Sequence, residues 1–227
     1  MDYDDLVAVY RNLEETDANT EKERIIATVL ADADEDHLPL LVKLLQGTTF
    51  AAWESEDLGV SSSLTRSAIA KASGIGEDAI EDWWRETGDL GSAAGKAMEA
   101  DRQQTLFSQS LTVERVHDTL QELATYEGSG SQQRRIDAIA GLLSDADPDG
   151  ARYVVRTALG HLRIGVGEGT IRDAIASAFL DGSAEAIEAV ERAYQVTNDY
   201  PVVAERAKSD GVAGLEDLEI ELFRPIK

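Results

Sequence analysis

The stretch ARYVVRTALGHLRIGVGEGTIRDAIASAF, Ala151 to Phe179, decides the fold class. Val154, Val155, Ala158 and Leu162 recur at helical spacing, which predicts a helix over Gly150–Leu162. A glycine-rich turn follows, with Gly160, Gly165, Gly167 and Gly169, and helical periodicity resumes over Thr170–Leu180. A dinucleotide-binding glycine loop needs a strand before it and a βαβ unit around it. Here a helix precedes the glycines, so Gly-Val-Gly-Glu-Gly is not that fingerprint. Nor does the loop end in the Gly-Lys-Ser/Thr of a Walker A motif.

Outward from this stretch the helical pattern dominates. Leu6, Val9, Tyr10 and Leu13 form one stripe; Ile25, Ile26, Val29 and Leu30 form another. Leu38, Leu41, Val42 and Leu45 form a third, stopped by Gly47. SSSLTRSAIAKASG carries a serine cap and a glycine stop, and GEDAIEDWWRETGDLG groups Ile80, Trp83 and Trp84, with at least one tryptophan expected in the core. Further helices are expected at Val113–Tyr126, Gln132–Leu143, Ala184–Val196 and Tyr200–Lys208. Only LEIELFRPIK, at the end of the chain, alternates as a strand does. The expected architecture is all-α: about a dozen short helices in two lobes, divided by the polar segments 101–111 and 127–131. A helical domain over 1–217 is followed by a linker or strand over 218–227. No run is long and apolar enough to predict a membrane span, and the acidic start MDYDDLVAVY lacks a signal-peptide pattern, so a cytoplasmic protein is expected. A monomer is also expected.

The 227 residues carry a formal charge of −23, contain no cysteine, and include only three scattered histidines. Disulfides and thiolate metal sites are excluded, and a histidine metal site is not expected. Of 21 basic residues, 15 are Arg and six are Lys. Acids spread along helices, with lysine scarce, suggest a high-salt cytoplasm, where at about 1 M salt a Debye length of roughly 3 Å screens self-repulsion. One region departs from this pattern. Gly128 to Arg172 holds six arginines against five acids, a balance of +1, which leaves −24 for the rest. A segment spared acidification is expected to meet something negative.

Within it two segments share a plan. EGSGSQQRRIDAI has Gly128, Gly130, a capping Ser131, then Arg134 and Arg135 in the first turn. RIGVGEGTIRDAI has three glycines, Thr170 and Arg172. Free N–H groups at a helix start bind phosphate oxygens, glycine admits the ligand to the backbone, and arginine adds bidentate contacts. At 100° per residue, Arg152, Arg156 and Arg163 fall within about 40° of one another, beside the apolar arc of their helix. These features predict a phosphate-backbone site.

GSGSQQRRIDAIAGLL and ARYVVRTALGHLRIGVGEGTIRDAIASAF, together with LGVSSSLTRSAIAKASG, GDLG and IELFRPIK, resemble the N-terminal DNA-binding domain of archaeal and eukaryotic ATP-dependent DNA ligases. The likeness covers nearly the whole chain and, with the acidity, points to a haloarchaeal source. It implies an all-helical domain that grips nicked duplex DNA across the minor groove, through backbone contacts with little base readout. It implies roles in phosphate binding for Ser131, Gln132, Arg134 and Arg135, and for Arg163, Gly165, Gly167 and Thr170. Ser61, Ser62 and Arg66 match a third contact segment, where the alternative is a plain serine helix cap. Gln103, Leu106 and Phe107 in RQQTLFSQS resemble a sliding-clamp-binding motif, though with one aromatic where two are usual.

The family's catalytic lysine lies in Lys-x-Asp-Gly. KSDG occurs here at Lys208 to Gly211, but where a helix is expected to end, so it reads as a charged C-terminal turn closed by Gly211. The adenylating lysine of the family follows the RPIK-type segment, on which this sequence stops. No catalytic residue, metal or cofactor is therefore expected in this chain, while the resemblance implies ATP and Mg²⁺ for the parent enzyme, acting in replication, repair and recombination. The rival reading is an acidic helical scaffold that docks an acidic partner on its arginine face.

Overall fold

The structure, a computed structural model, describes residues 1–51, 53–54, 56–101 and 110–219. Among them are twelve α-helices: α1 (Tyr3–Glu15), α2 (Asn19–Asp32), α3 (Leu38–Leu45), α4 (Ser62–Ser73), α5 (Glu77–Thr87), α6 (Leu90–Asp101), α7 (Val113–Ala124), α8 (Ser131–Asp145), α9 (Pro148–Ala158), α10 (Glu168–Phe179), α11 (Ala184–Thr197) and α12 (Tyr200–Glu216). The only β pairing among the described residues is an isolated antiparallel bridge between Asp2 and Thr112. The fold is all-α, as the periodicity predicts. Within the described residues no helix is long and apolar enough to cross a membrane. The strand-like IELFRPIK lies outside the described residues.

The chain forms two compact units, each discontinuous in sequence. One comprises Met1–Ala8 and Glu56–Leu162; the other comprises Val9–Ser55 and Arg163–Lys227. This corrects the expected division at 101–111 and 127–131. The turn at 127–131 lies inside the first unit, because Arg135 beyond it donates to the carbonyls of Leu123 and Tyr126 before it. The boundaries fall instead at Ala8/Val9, Ser55/Glu56 and Leu162/Arg163, the last in the middle of the glycine-rich stretch.

In the first unit α6 lies against α9 at close range. A Cβ on Gly95 would stand 2.8 Å from the Pro148 carbonyl, and one on Gly91 2.7 Å from the Arg152 carbonyl, so only glycine permits this approach. Around it Tyr3, Ala94, Tyr153, Val154 and Val155 are sealed from solvent. α6 was not anticipated, because LGSAAGKAMEAD packs through small residues and shows no large apolar stripe. Trp83 and Trp84 are both half-buried, and Ile80 is the buried residue of α5, so neither tryptophan is core.

In the second unit α2 packs on α10, and α12 packs on α3 and α11. Ile25, Ile26, Leu30, Ile171, Ala174 and Ile175 are buried there. Tyr194 and Tyr200 stack with ring centres 3.8 Å apart.

Candidate nucleic-acid interface

The first glycine-flanked helix start belongs to α8. Its N-cap is Gly130, left-handed at φ +83°, and no side chain caps the helix. Ser131 is thus the first helical residue and not the cap the sequence suggested; its amide reaches the Gly128 carbonyl at 3.3 Å. Ser131 is half-buried and Gln132 is exposed. Gly128 and Gly130 have open space where a Cβ would stand. Arg134 is exposed, lies over the Tyr126 ring and donates to the Glu127 carbonyl.

Arg135 does something different. Its Nε donates to the carbonyls of Leu58 (2.9 Å) and Leu123 (3.1 Å), and its Nη2 to that of Tyr126 (2.8 Å). Its guanidinium presses on Gly59, which has φ +63° and whose Cβ would stand 2.8 Å away. Arg135 therefore staples the loop before α4 to the turn before α8.

At the start of α4, Ser61 accepts from the Leu64 amide at 3.2 Å, as a helix cap does. Ser62 is half-buried in the first turn. Arg66 pairs with Glu77 and Glu81, so its charge is already met by carboxylates.

The expected arginine stripe does not exist. α9 ends at Ala158, and Gly160 at φ +69° closes it: the Gly160 amide donates to Thr157 and the His161 amide to Arg156. This Schellman pattern takes the chain out of the helix before Arg163. Arg156 is 5% exposed and buried against Asp89, with Nε and Nη2 at 3.0 and 2.7 Å from the same carboxylate oxygen. Burial alone would raise the Asp89 carboxyl. Hydrogen bonds from Arg156 and Ser92, the Arg156 charge and the Gly91 amide outweigh that and hold it below the ordinary range. Arg152 is half-buried, 3.3 Å from Asp149.

The second glycine-flanked start, that of α10, belongs to the other unit. Arg163 is exposed in the loop, with the left-handed φ of +60° that few side chains adopt. The N-cap is Gly167, extended, with no side-chain cap, and the helix opens at Glu168, two residues earlier than expected. Thr170, half-buried, donates its amide to the Gly167 carbonyl at 3.0 Å. Gly167 and Gly169 face open space, but Gly165 does not: at φ +65° its Cβ would run into the Lys22 ammonium. Lys22 is 7% exposed and donates to the carbonyls of Ile164 (2.7 Å) and Gly165 (3.1 Å). Arg172 pairs with Asp173 and Glu191, whose hydrogen bonds raise its pKa further.

Of the fourteen positions singled out, Arg134 and Arg163 are exposed residues beside uncapped glycine helix starts. The structure turns Arg156 and Arg135 inward and engages Arg66, Arg152 and Arg172 with carboxylates. Sequence reasoning missed Lys22. Its signal was present, since Lys22 shares the buried stripe of Ile25 and Ile26 at helical spacing. Gln103, Leu106 and Phe107 lie outside the described residues.

Residues 2–176 match the family described as DNA ligase N terminus. The chain is 39% identical over 227 residues to a DNA ligase of Thermococcus fumicolans, and 43% identical over 225 residues to one of Methanothermobacter thermautotrophicus. A DNA ligase of Natronomonas pharaonis is 39% identical over 236 residues. These alignments cover 99–100% of this chain and 40–42% of the relatives. The chain thus spans about two fifths of the length of the curated relatives it matches.

Proposed function

The chain belongs to the family of DNA ligase N-terminal regions, and from that premise we propose that it binds nicked duplex DNA through its phosphate backbone. The observation that carries this reading is the pair of glycine-capped helix starts. Neither has a side-chain cap, the glycines at 128, 130, 167 and 169 leave room for a ligand, and an exposed arginine accompanies each start. Backbone N–H groups at a helix start take phosphate oxygens, and the macrodipole favours the negative charge. Arg134 and Arg163 supply charge, Gln132 and Thr170 polar side chains. These groups position a duplex without reading its sequence. Arg135 braces the α8 start from within its own unit, and Arg156 serves the packing of that unit through Asp89.

We place ATP- and Mg²⁺-dependent adenylation outside these 227 residues. Lys208 lies within α12, just before the kink at Gly211 (φ +62°), and does not fit an adenylated nucleophile. Its ammonium is held on the Ala33 carbonyl, at the C-terminus of α2, and faces the Phe179 ring. That is where a cation stabilises a helix end.

Fluorescence anisotropy with a nicked duplex, across graded KCl, tests the reading. Affinity should fall steeply and linearly on a log–log scale as salt rises, with little dependence on sequence. A scaffold for an acidic partner would leave the DNA free at every salt concentration.

A further inference from the structure

We propose that Lys22 is a positioning residue for phosphate binding: it turns two successive loop amides of the α10 start outward to receive a phosphodiester oxygen. The inference rests on the DNA-binding reading above. It begins with peptide geometry. In a trans peptide the carbonyl and the following N–H point in opposite directions. The Ile164 carbonyl accepts from Lys22 beneath the loop, so the Gly165 N–H points away from Lys22. The Gly165 carbonyl does the same, so the Val166 N–H also points away. Neither amide has an acceptor among the described residues. Two adjacent outward N–H groups form a concave donor pair suited to an anion. They directly precede the open glycines 167 and 169 and the N-terminus of α10.

The charge on Lys22 points the same way. No carboxylate among the described residues pairs with it, although acids outnumber bases by about two to one in this chain. Its protons are placed instead on carbonyls, 142 and 143 residues away in sequence. A buried ammonium beside a helix N-terminus adds one positive field to another, an arrangement that costs stability until an anion arrives. The positive φ of Gly165, and the collision that any Cβ there would have with Nζ, tie the loop conformation to this one side chain. A phosphate oxygen is the anion that the family's DNA backbone presents.

The test compares Lys22→Met with Arg24→Met, a neighbour on α2 that is exposed and pairs with Glu21. Each removes one positive charge. Nicked-duplex affinity is measured by anisotropy at fixed KCl, and amide shifts of the ¹⁵N-labelled chain are followed on adding the same duplex. Lys22→Met should weaken binding about tenfold, the range of a charge-assisted hydrogen-bond array. It should also abolish the duplex-induced shifts of Gly165 and Val166, while those of the α8 start persist. Arg24→Met should move affinity less than twofold. An equal effect of the two substitutions, or unaltered Gly165 and Val166 shifts in Lys22→Met, overturns the proposal. Should Lys22→Met not fold, the wild-type chain decides. The Lys22 ammonium signal and the two amides should shift together as duplex is added, and duplex binding without those shifts refutes the role. If the wild-type chain leaves the duplex free, the functional reading fails at that point, before the variants are compared.

Discussion

The start of α8 and the start of α10 look alike in sequence and are built differently. Both follow glycines, both lack a side-chain cap, and each is held from behind by a cation that donates to backbone carbonyls and presses on a positive-φ glycine. At α8 the cation is Arg135, a residue of the helix itself, reaching Leu58, Leu123 and Tyr126. At α10 it is Lys22, from another helix far away in sequence. The arginine-rich start braces itself, whereas the arginine-poor one borrows its brace. Beside these two starts, some cations face solvent and others shape backbone, and sequence proximity to the glycines does not tell them apart.

The largest expected effect breaks the first unit from beneath. Arg156→Met leaves the buried Asp89 carboxylate without its partner, and removing one member of such a pair costs about 3–5 kcal/mol. Urea unfolding should show that loss, whereas a phosphate ligand would lose affinity at unchanged stability. The same pair sets a pH dependence. The Asp89 carboxyl titrates lower in the folded chain than in the unfolded one, so its stabilisation is full above the ordinary carboxylate value of about 3.9. It is lost as pH falls through the lower, folded value. Arg156→Met should flatten the stability profile in that acid window.

A smaller effect separates two glycines of one loop. Gly165→Ala meets a left-handed φ, worth about 1–2 kcal/mol for a side chain, and the Lys22 ammonium in addition. Gly167→Ala meets neither, since Gly167 is extended and faces open space. The first substitution should lower the melting temperature and the second should not. Gly167→Ala should still weaken nicked-DNA binding severalfold, because its methyl group stands where the phosphate approaches. Equal melting temperatures would show that Lys22 does not constrain the loop.

Most helices were legible because large apolar residues recur at helical spacing and serine or glycine marks the ends. Ser61 and Gly74 at the two ends of α4 are such marks. α6 was not legible, since Gly91 and Gly95 signal close approach only once the partner helix α9 is known. The division into units was illegible for a related reason: each unit is assembled from two distant segments, and composition marks none of the three junctions. At the site, the glycines and Arg134 could be read directly. Arg156 misled because a projected helical wheel carries it onto one face with Arg163, and Gly160 ends the helix before that face exists. Gly160 itself stood in the sequence as the stop. Arg135 and Lys22 could not be resolved by type, since a cation that binds carbonyls and one that binds phosphate are the same residue until the backbone is placed.

The smallest effect sharpens the comparison at α8, where two adjacent arginines have opposite surroundings. Arg134 is exposed with one carbonyl partner, and Arg135 is half-buried with three. If Arg134 neutralises one phosphate, Arg134→Ala removes one released counterion. The slope of log affinity against log[KCl] should then become shallower by about 0.9, with stability changed by less than about 0.5 kcal/mol. Arg135→Ala removes the staple between Leu58 and the α8 turn, so it should destabilise the first unit and loosen the start of α8, weakening binding with a salt slope close to wild type. Anisotropy over a KCl series, beside urea unfolding of the same variants, distinguishes the two residues. Slopes shifted alike by both substitutions would mean that Arg135 leaves its carbonyls to meet DNA, and the division between facing and bracing cations would not hold at α8.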